Sequence, residues 1–318
     1  IDTKGNHALI HKDPELSCWH ATPLVPRKTP PEIRPTRDPA LAKRNIALCV
    51  LTNITRGMPG VKIGEVKWLR INEAIPRYWS TGRRWGGGAS SSGWKAALWP
   101  RVQWGVVPVE ADGSAHFTVP AGKPIYFQAL DERGLAVQSM RSVTYLQPGE
   151  RLSCQGCHEP KRRTPPMRPA LPIAARRAPS SLQPEAEGSN PFNYVRLVQP
   201  VLDRHCVACH RQKEAPDLTG APGQKDFTRS YDVLTKDYAF YFNSVKGCFG
   251  QKVHGGSRTT AGEFGARASR LFLMLDKGHH DVKLPPDDLR RITLWLDCNS
   301  DFLGAYHDAE AQRLGKVV

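Results

Sequence analysis

Two short cysteine motifs are the residues of this sequence best suited to carry chemistry. They are Cys154-Gln155-Gly156-Cys157-His158 and Cys206-Val207-Ala208-Cys209-His210, and both have the form C-x-x-C-H. In this form the two sulfurs can make thioether bonds to a haem, and the adjacent histidine can place an imidazole nitrogen on the iron. The spacing therefore predicts two covalently bound haem c groups, with His158 and His210 as the proximal iron ligands.

Two other chemistries also use paired cysteines. A zinc ribbon carries its second C-x-x-C about 15–20 residues after the first, whereas Cys157 and Cys206 are much further apart. A thioredoxin-like dithiol belongs to a βαβ pattern, which the proline-rich surroundings of these motifs do not suggest. We therefore favour haem. An additional zinc ion stays an alternative, with Cys18 and His20 as weak candidate ligands.

The distal ligand decides what a haem iron can do. An iron with a proximal histidine alone is open and can react, whereas a second strong ligand favours electron transfer. For the second motif we predict His279 as the distal ligand, with His280 as runner-up, because both follow the end of a predicted helix. A helix-end role for this pair is the competing interpretation. Met274 is expected in the core, His254 is a weaker candidate, and His205 is expected to face solvent.

The first motif has no distal ligand nearby in the sequence. This absence is compatible with an open, reactive iron. The candidates from more distant positions are His7, His11, Cys18, His20, Cys49 and His116.

Composition and charge place the chain among soluble globular proteins. It has 318 residues, 40% of them hydrophobic, and a net charge of +15. No nucleic-acid-binding signature accompanies the charge, so we predict no nucleic-acid partner. Its apolar runs are far shorter than a membrane-spanning helix needs, so no span is predicted. Because haem c is attached outside the bacterial cytoplasmic membrane, we expect a periplasmic or otherwise exported protein.

Four cysteines lie outside the motifs: Cys18, Cys49, Cys248 and Cys298. In an oxidising compartment they can pair, Cys18 with Cys49 and Cys248 with Cys298. Buried thiols are the equally good alternative.

The pattern of elements predicts an α+β multidomain protein, in which an antiparallel β-sandwich-like domain precedes a small all-α cytochrome c-like domain. Residues 1–45 form an extended proline-rich lead-in, and residues 46–159 form the β-rich domain with the first haem. Residues 160–190 form a Pro/Arg-rich linker, and residues 191–318 form the helical domain with the second haem. The predicted strands are 46–51, 61–71, 103–109, 116–119, 125–130 and 136–140.

In the helical part, the apolar pattern predicts a helix after Pro191 that Pro200 kinks or restarts, a helix over 266–276, and a last helix from Pro286. A tryptophan-rich insertion occupies residues 78–104, and we interpret it as a segment packed on the sheet, with a lid or docking surface as the alternative. A basic cluster in the linker is interpreted as solvated charge, with an acidic redox partner as the alternative. Its members are Lys161, Arg162, Arg163, Arg168, Arg176 and Arg177.

Several longer stretches resemble a known family. These stretches are similar to the hydrazine synthase alpha-subunit-like proteins of planctomycetes and other bacteria. They are residues 105–110, 112–115, 127–131, 138–142, 148–150, 154–159 and 294–300. The resemblance implies a β-rich middle domain with one haem and a C-terminal cytochrome domain with another. It also implies a catalytic first haem whose iron is coordinated by a Tyr four residues after the proximal histidine. Here that position is Arg162, which cannot serve as this ligand.

Together these features predict an exported dihaem c-type cytochrome that transfers electrons to a redox partner protein, within a complex of other subunits or alone. One alternative is an oxidoreductase whose open first haem acts on a small nitrogen or oxygen species. Another is a docking module of a larger redox complex.

Overall fold

The computed structural model describes residues 3–20, 22–33, 35–76, 100–140, 142–157, 164, 170–186, 191–212, 215–240 and 260–318. The chain divides into two units, Ile1–Pro35 and Thr36–Val318. The described residues of the first unit form neither helix nor strand, as their prolines lead one to expect. The tryptophan-rich residues 77–99 lie outside the described residues.

The larger unit begins with a short helix that the sequence prediction of an extended lead-in missed. Helix α1 covers Pro39–Lys43, and the side chain of Asp38 accepts hydrogen bonds from the backbone N–H groups of Ala40 and Leu41. Proline is tolerated here because the first helical position needs no N–H donor. The prolines of residues 1–45 therefore did not indicate the helical turn at the end of this segment.

The described residues of the β part form eight strands. They are β1 Ile46–Leu51, β2 Trp68–Ala74, β3 Arg101–Pro108, β4 Ala115–Pro120, β5 Pro124–Leu130, β6 Ala136–Ser139, β7 Thr144–Tyr145 and β8 Arg151–Cys154. All six predicted strands are present, but β2 begins only at Trp68, because residues 61–67 are not extended and residues 63–65 form a turn. The two short strands β7 and β8 were not predicted.

These strands form two sheets. One has the order β4-β1-β8, and the other has the order β3-β2-β5-β6 with β7 beside β5. The predicted antiparallel pairing holds in the larger sheet and between β1 and β4, whereas β1 and β8 pair in parallel. The Gly149 N–H donates to the Ile46 carbonyl at 2.9 Å, so β8 enters its sheet at the end where β1 begins.

The two sheets share an apolar core. Ala47 and Cys49 enter it from β1, and Leu69 and Ile71 enter it from β2. An edge-to-face contact between Phe117 and Phe127, with ring centroids 5.7 Å apart, joins the two layers. Burial of these side chains is the main force that holds the sheets together.

The other face of the larger sheet is polar and buried. Successive side chains of a strand point to opposite faces, so Arg70 and Asn72 point away from the apolar core, as does Gln128 on β5. Arg70 is 2% exposed and Asn72 is 0% exposed. The helices of the same unit cover this face.

The helical part follows the β part. It contains α2 Tyr194–Leu197, α3 Gln199–His205, α4 Val207–Gln212, α5 Arg229–Asp237, α6 Gly265–Ala268, α7 Arg270–Lys277, α8 Pro286–Asp297 and α9 Ala309–Arg313. The helix restarts near Pro200 as predicted, with α2 ending at Leu197. The predicted helix over 266–276 is two helices, because Ser269 is extended and caps α7.

An aromatic cluster forms the core of this part. Tyr194, Tyr231, Trp295 and Phe302 are all buried, and the ring centroids of Tyr231 and Phe302 lie 4.8 Å apart. The Tyr231 hydroxyl donates to the Ser300 carbonyl, so the core also fixes the chain after α8. The structure is thus a mixture of sheets and helices, as predicted, and no described helix is long and apolar enough to cross a bilayer.

Residues 170–186 of the predicted linker run along the β part. They contain a 3₁₀ helix, Ile173–Arg176. Gln183 forms a β-bridge with Val106, and Ser180 forms one with Phe117. This part of the segment is therefore tied to the sheets by backbone hydrogen bonds.

Candidate functional site

The second cysteine motif lies at the junction of two helices. Cys206 ends α3, with its N–H donating to the Leu202 carbonyl at 2.8 Å, and α4 begins at the next residue. The His210 N–H donates back to the Cys206 carbonyl at 3.1 Å. This turn presents Cys206, Cys209 and His210 to one cavity.

A backbone carbonyl fixes the imidazole of His210. Its Nδ1 lies 2.8 Å from the Pro216 carbonyl oxygen. Because a carbonyl can only accept, Nδ1 carries the hydrogen and Nε2 is left as the nitrogen that can bind a metal. Such a bond is the usual way in which proteins set the tautomer and orientation of a histidine ligand.

The cavity beside His210 is mostly apolar and has a volume of about 310 Å³. An apolar cavity with a few convergent polar groups is the typical form of a cofactor site. The apolar lining comes from α3, α5, α7, α8 and the loops between them. It consists of Val201, Leu202, Ala215, Pro216, Leu218, Val233, Leu234, Tyr238, Leu271, Met274, Leu275, Val282, Leu284 and Ile292.

His279 also lines this cavity. Helix α7 ends at Lys277. The next residue, Gly278, has a φ of +92°, so the chain leaves the helical conformation directly before His279. The ring centroids of His210 and His279 are 6.3 Å apart. A metal about 2 Å from one nitrogen of each ring would separate the two centroids by roughly 6 Å. The pair thus has the spacing of two ligands to one metal.

These observations fit a haem that Cys206 and Cys209 would hold, with His210 and His279 as the residues that could bind its metal. His280 also borders the cavity, with its ring centroid 4.6 Å from that of His279, but it is exposed. Met274 lines the cavity and packs against the helical core. His254 lies outside the described residues.

The prediction that His205 faces solvent is wrong. Its side chain is 24% exposed and lines the cavity, and its Nε2 lies 2.8 Å from Asp288 Oδ2. Asp288 also accepts from Arg204 at 2.6 Å. In the sequence Asp288 is simply an acidic residue near the start of the helix predicted from Pro286, and nothing in the sequence indicates this contact.

The first motif begins where β8 ends. The loop after β1 holds it: the Thr52 N–H donates to the Cys154 carbonyl at 2.9 Å, and the Cys157 N–H donates to the Arg56 carbonyl at 3.0 Å. Gly156 packs on the same carbonyl, since a Cβ there would lie 2.5 Å from the Arg56 oxygen. His158, Arg162 and the rest of the basic cluster up to Arg168 lie outside the described residues.

The cysteine environments speak against the reactive-dithiol interpretation. Burial, with the neighbouring Cys154, raises the pKa of Cys157 to about 12, and burial with Cys209 raises the pKa of Cys206 to about 11. Reactive dithiols need the opposite shift, because the thiolate is the nucleophile. Among the described residues, no group of three or more His, Cys, Asp or Glu side chains is placed to hold a metal ion.

The remaining candidates lie elsewhere. His116 Nδ1 contacts the Arg177 carbonyl at 3.1 Å, so the linker covers it. Cys49 and Cys298 are buried thiols without a disulfide, and Cys18 is an exposed thiol of the first unit, together with His7, His11 and His20. Cys248 lies outside the described residues.

Fold and site together define an α+β protein in which a two-sheet part carries one cysteine motif and a helical part carries the other. Residues 64–159 match the family model of the hydrazine synthase alpha subunit middle domain. The chain is 38% identical over 73 residues to hydrazine synthase subunit alpha of Kuenenia stuttgartiensis, which is 23% of this chain and 9% of that subunit. The family resemblance predicted from the sequence is thereby confirmed.

The solved hydrazine synthase of Kuenenia stuttgartiensis has a similar fold. The match has a TM-score of 0.57 and 19% sequence identity, and it covers 82% of this chain and 43% of that chain. At this identity the match shows a shared fold. The chain spans less than half the length of this solved relative.

Proposed function

We propose that this protein is an exported dihaem c-type cytochrome whose helical part, a cytochrome c-like domain, transfers electrons. The observation that carries the proposal is the pair His210 and His279, whose ring centroids lie 6.3 Å apart at an apolar cavity that Cys206 and Cys209 also line. Two imidazole ligands leave no open position on an iron, which favours electron transfer over reaction with a substrate.

The residues of this chain each have a defined part in this proposal. A haem bound here supplies a one-electron redox couple. Cys206 and Cys209 would anchor it, while His210, oriented by the Pro216 carbonyl, and His279 would bind its metal. The apolar lining excludes water, which tunes the potential of such a centre.

The first motif is proposed to bind the first haem in the same covalent way, through Cys154, Cys157 and His158. The family match over residues 64–159 supports this part, because it includes the complete motif. The solved relative is described as a hydrazine synthase and the matched one as its alpha subunit. We therefore propose other subunits of a redox complex as partners.

Haem counting tests the proposal. The full chain is exported in a bacterial host that matures c-type cytochromes, and the intact mass gives the number of covalent haems. We expect two haems in the wild type and one in each of the double variants Cys154→Ser/Cys157→Ser and Cys206→Ser/Cys209→Ser. Cys18→Ser, which changes an exposed cysteine outside both motifs, should retain two haems. A wild type without covalent haem would contradict the proposal.

Electron transfer is tested on the same material. The second haem should be reduced and reoxidised reversibly and should not bind carbon monoxide, because its distal position is filled. Rapid carbon monoxide binding in the Cys154→Ser/Cys157→Ser variant, which carries only the second haem, would overturn the electron-transfer assignment.

A further inference from the structure

The start of α8 is bound to the residues that lead into the second motif. Asp288 uses both carboxylate oxygens, Oδ1 toward Arg204 Nη2 at 2.6 Å and Oδ2 toward His205 Nε2 at 2.8 Å. Arg204 and His205 are the two residues directly before Cys206. The carboxylate thus joins two helices at the point where the chain enters the motif.

Asp288 differs from its neighbour Asp287 in this respect. Asp288 is 8% exposed, whereas Asp287 is exposed. Both lie in the first turn of α8, so the helix dipole acts on both. They therefore form a matched pair in which one carboxylate is buried against the motif and the other is in solvent.

Asp288 is an anion at neutral pH. Burial raises its pKa, but the hydrogen bonds from His205 and Arg204 outweigh burial, so the pKa lies below its usual range. Its partner His205 lines the cavity together with His210 and His279. A fixed negative charge therefore lies one side chain away from the cavity.

We propose that Asp288 is a positioning residue of the second haem site, which clamps Arg204 and His205 and so holds the entry to the attachment turn. Its charge also lowers the reduction potential of the centre, since a nearby anion favours the more positive, oxidised form. This inference rests on the proposed function, because it needs a haem at Cys206 and Cys209.

Potentiometric titration of the second haem tests this role, with Cys154→Ser/Cys157→Ser as the background that carries this haem alone. Asp288→Asn removes the buried charge and keeps an acceptor. We expect the reduction equilibrium to shift toward the reduced form on the order of tenfold, which is about 59 mV for one electron. Asp287→Asn makes the same charge change in solvent and should leave the potential unchanged.

A third variant should shift the reduction potential in the opposite direction. Arg204→Gln removes the cation that neutralises Asp288, and its side chain is 52% exposed, so folding should survive. We expect its potential to fall. A purely structural disturbance would not give shifts of opposite sign in these two variants, whereas electrostatic control requires them.

The outcomes separate this inference from the proposed function. Equal shifts in Asp288→Asn and Asp287→Asn, or shifts of the same sign in Asp288→Asn and Arg204→Gln, would overturn it while the haem remains. If Asp288→Asn does not mature, Arg204→Gln decides alone: a lower potential supports the role, and an unchanged or higher potential overturns it. A background protein without haem refutes the proposed function instead.

Discussion

Gly156 is the residue of the first motif with the least space around it. A Cβ at this position would lie 2.5 Å from the Arg56 carbonyl oxygen and 2.6 Å from the Arg56 Cβ. The second motif has Ala208 at the equivalent position, where the side chain is exposed on α4. Two motifs with the same letters are therefore held in different ways, one against a loop and one on a helix.

This difference predicts the effect of one methyl group. Gly156→Ala should lower the free energy of unfolding by about 1–3 kcal/mol, as overpacking usually does, and should reduce haem attachment at Cys154 and Cys157. Ala208→Ser is the control, because its extra atom extends into solvent. Urea unfolding and peptide mass mapping measure both effects. Full attachment and unchanged stability in Gly156→Ala would contradict the described packing.

Residue types and spacing predicted part of the site. The C-x-x-C-H letters singled out Cys206, Cys209 and His210, the predicted helix end pointed to His279, and all four residues line the same cavity. The Pro216 carbonyl and the Asp288 carboxylate could not be predicted in the same way. Both act through contacts between segments, and neither residue type signals such a role at its position in the sequence.

At the scale of elements, the segment after residue 170 is part of the fold. Glu185 lies at its end with a fully buried side chain, and it accepts from Arg70 on β2 at 2.9 Å and from Arg290 on α8 at 2.8 Å. The linker carboxylate thus bridges a strand and a helix. Burial works against its ionised form, but the two guanidinium groups outweigh burial and hold its pKa below the usual range.

Removal of the Glu185 charge should strongly lower the free energy of unfolding. Glu185→Gln leaves the buried positive charge of Arg70 with less negative charge beside it. Breaking a buried ion pair typically lowers the free energy of unfolding by about 3–5 kcal/mol. Glu132→Gln, at an exposed position, is the control. Denaturant unfolding of both variants measures the difference. A change below about 1 kcal/mol in Glu185→Gln would show that the segment is not held by this bridge.

The sequence predicted element types better than element ends. Alternating apolar residues predicted six strands. Strand β8 was missed because Arg151–Cys154 is short and its residues are only partly buried. The break at Ser269 was hidden because apolar residues continue on both sides of it. Its signal is the hydroxyl, which accepts from the Phe272 N–H and starts a new helix.

At the scale of the whole molecule, a buried polar layer joins the larger sheet to the end of α8. Arg70 donates to Asp297 at 3.3 Å, and Arg101 donates to Asp301 at 2.9 Å. Gln128 Nε2 donates to the Asp297 carbonyl at 2.8 Å. Alternation on a strand ordinarily indicates a solvent-facing polar side, so the sequence did not show that a second layer covers it.

Asp301 makes the stability of this layer depend on pH. Burial raises its pKa to about 7, although Arg101 opposes the shift, and the other titratable groups near Arg101 are Tyr126 and Cys298. Its Oδ1 is buried without a hydrogen-bond partner in the described structure. The folded carboxyl therefore keeps a proton that the unfolded chain releases near pH 4.

This proton uptake predicts the direction in which stability changes with pH. The stability contributed by protonated Asp301 is complete below pH 4 and is lost as pH rises to 7. Wild type should lose up to about 4 kcal/mol between pH 4 and 8 relative to Asp301→Asn, which stays neutral. Asp276→Asn, in an exposed ion pair with Arg133, is the control. Parallel stability curves for wild type and Asp301→Asn would contradict this account.

The most direct test of the central claim is low-temperature electron paramagnetic resonance of the oxidised second haem. The measurement compares the Cys154→Ser/Cys157→Ser background with His279→Ala and His280→Ala in that background. We expect a low-spin signal in the background and in His280→Ala, and a high-spin signal in His279→Ala, because of these two histidines it is His279 whose ring lies 6.3 Å from that of His210. A low-spin signal that survives in His279→Ala, or a high-spin signal in the background itself, would contradict it.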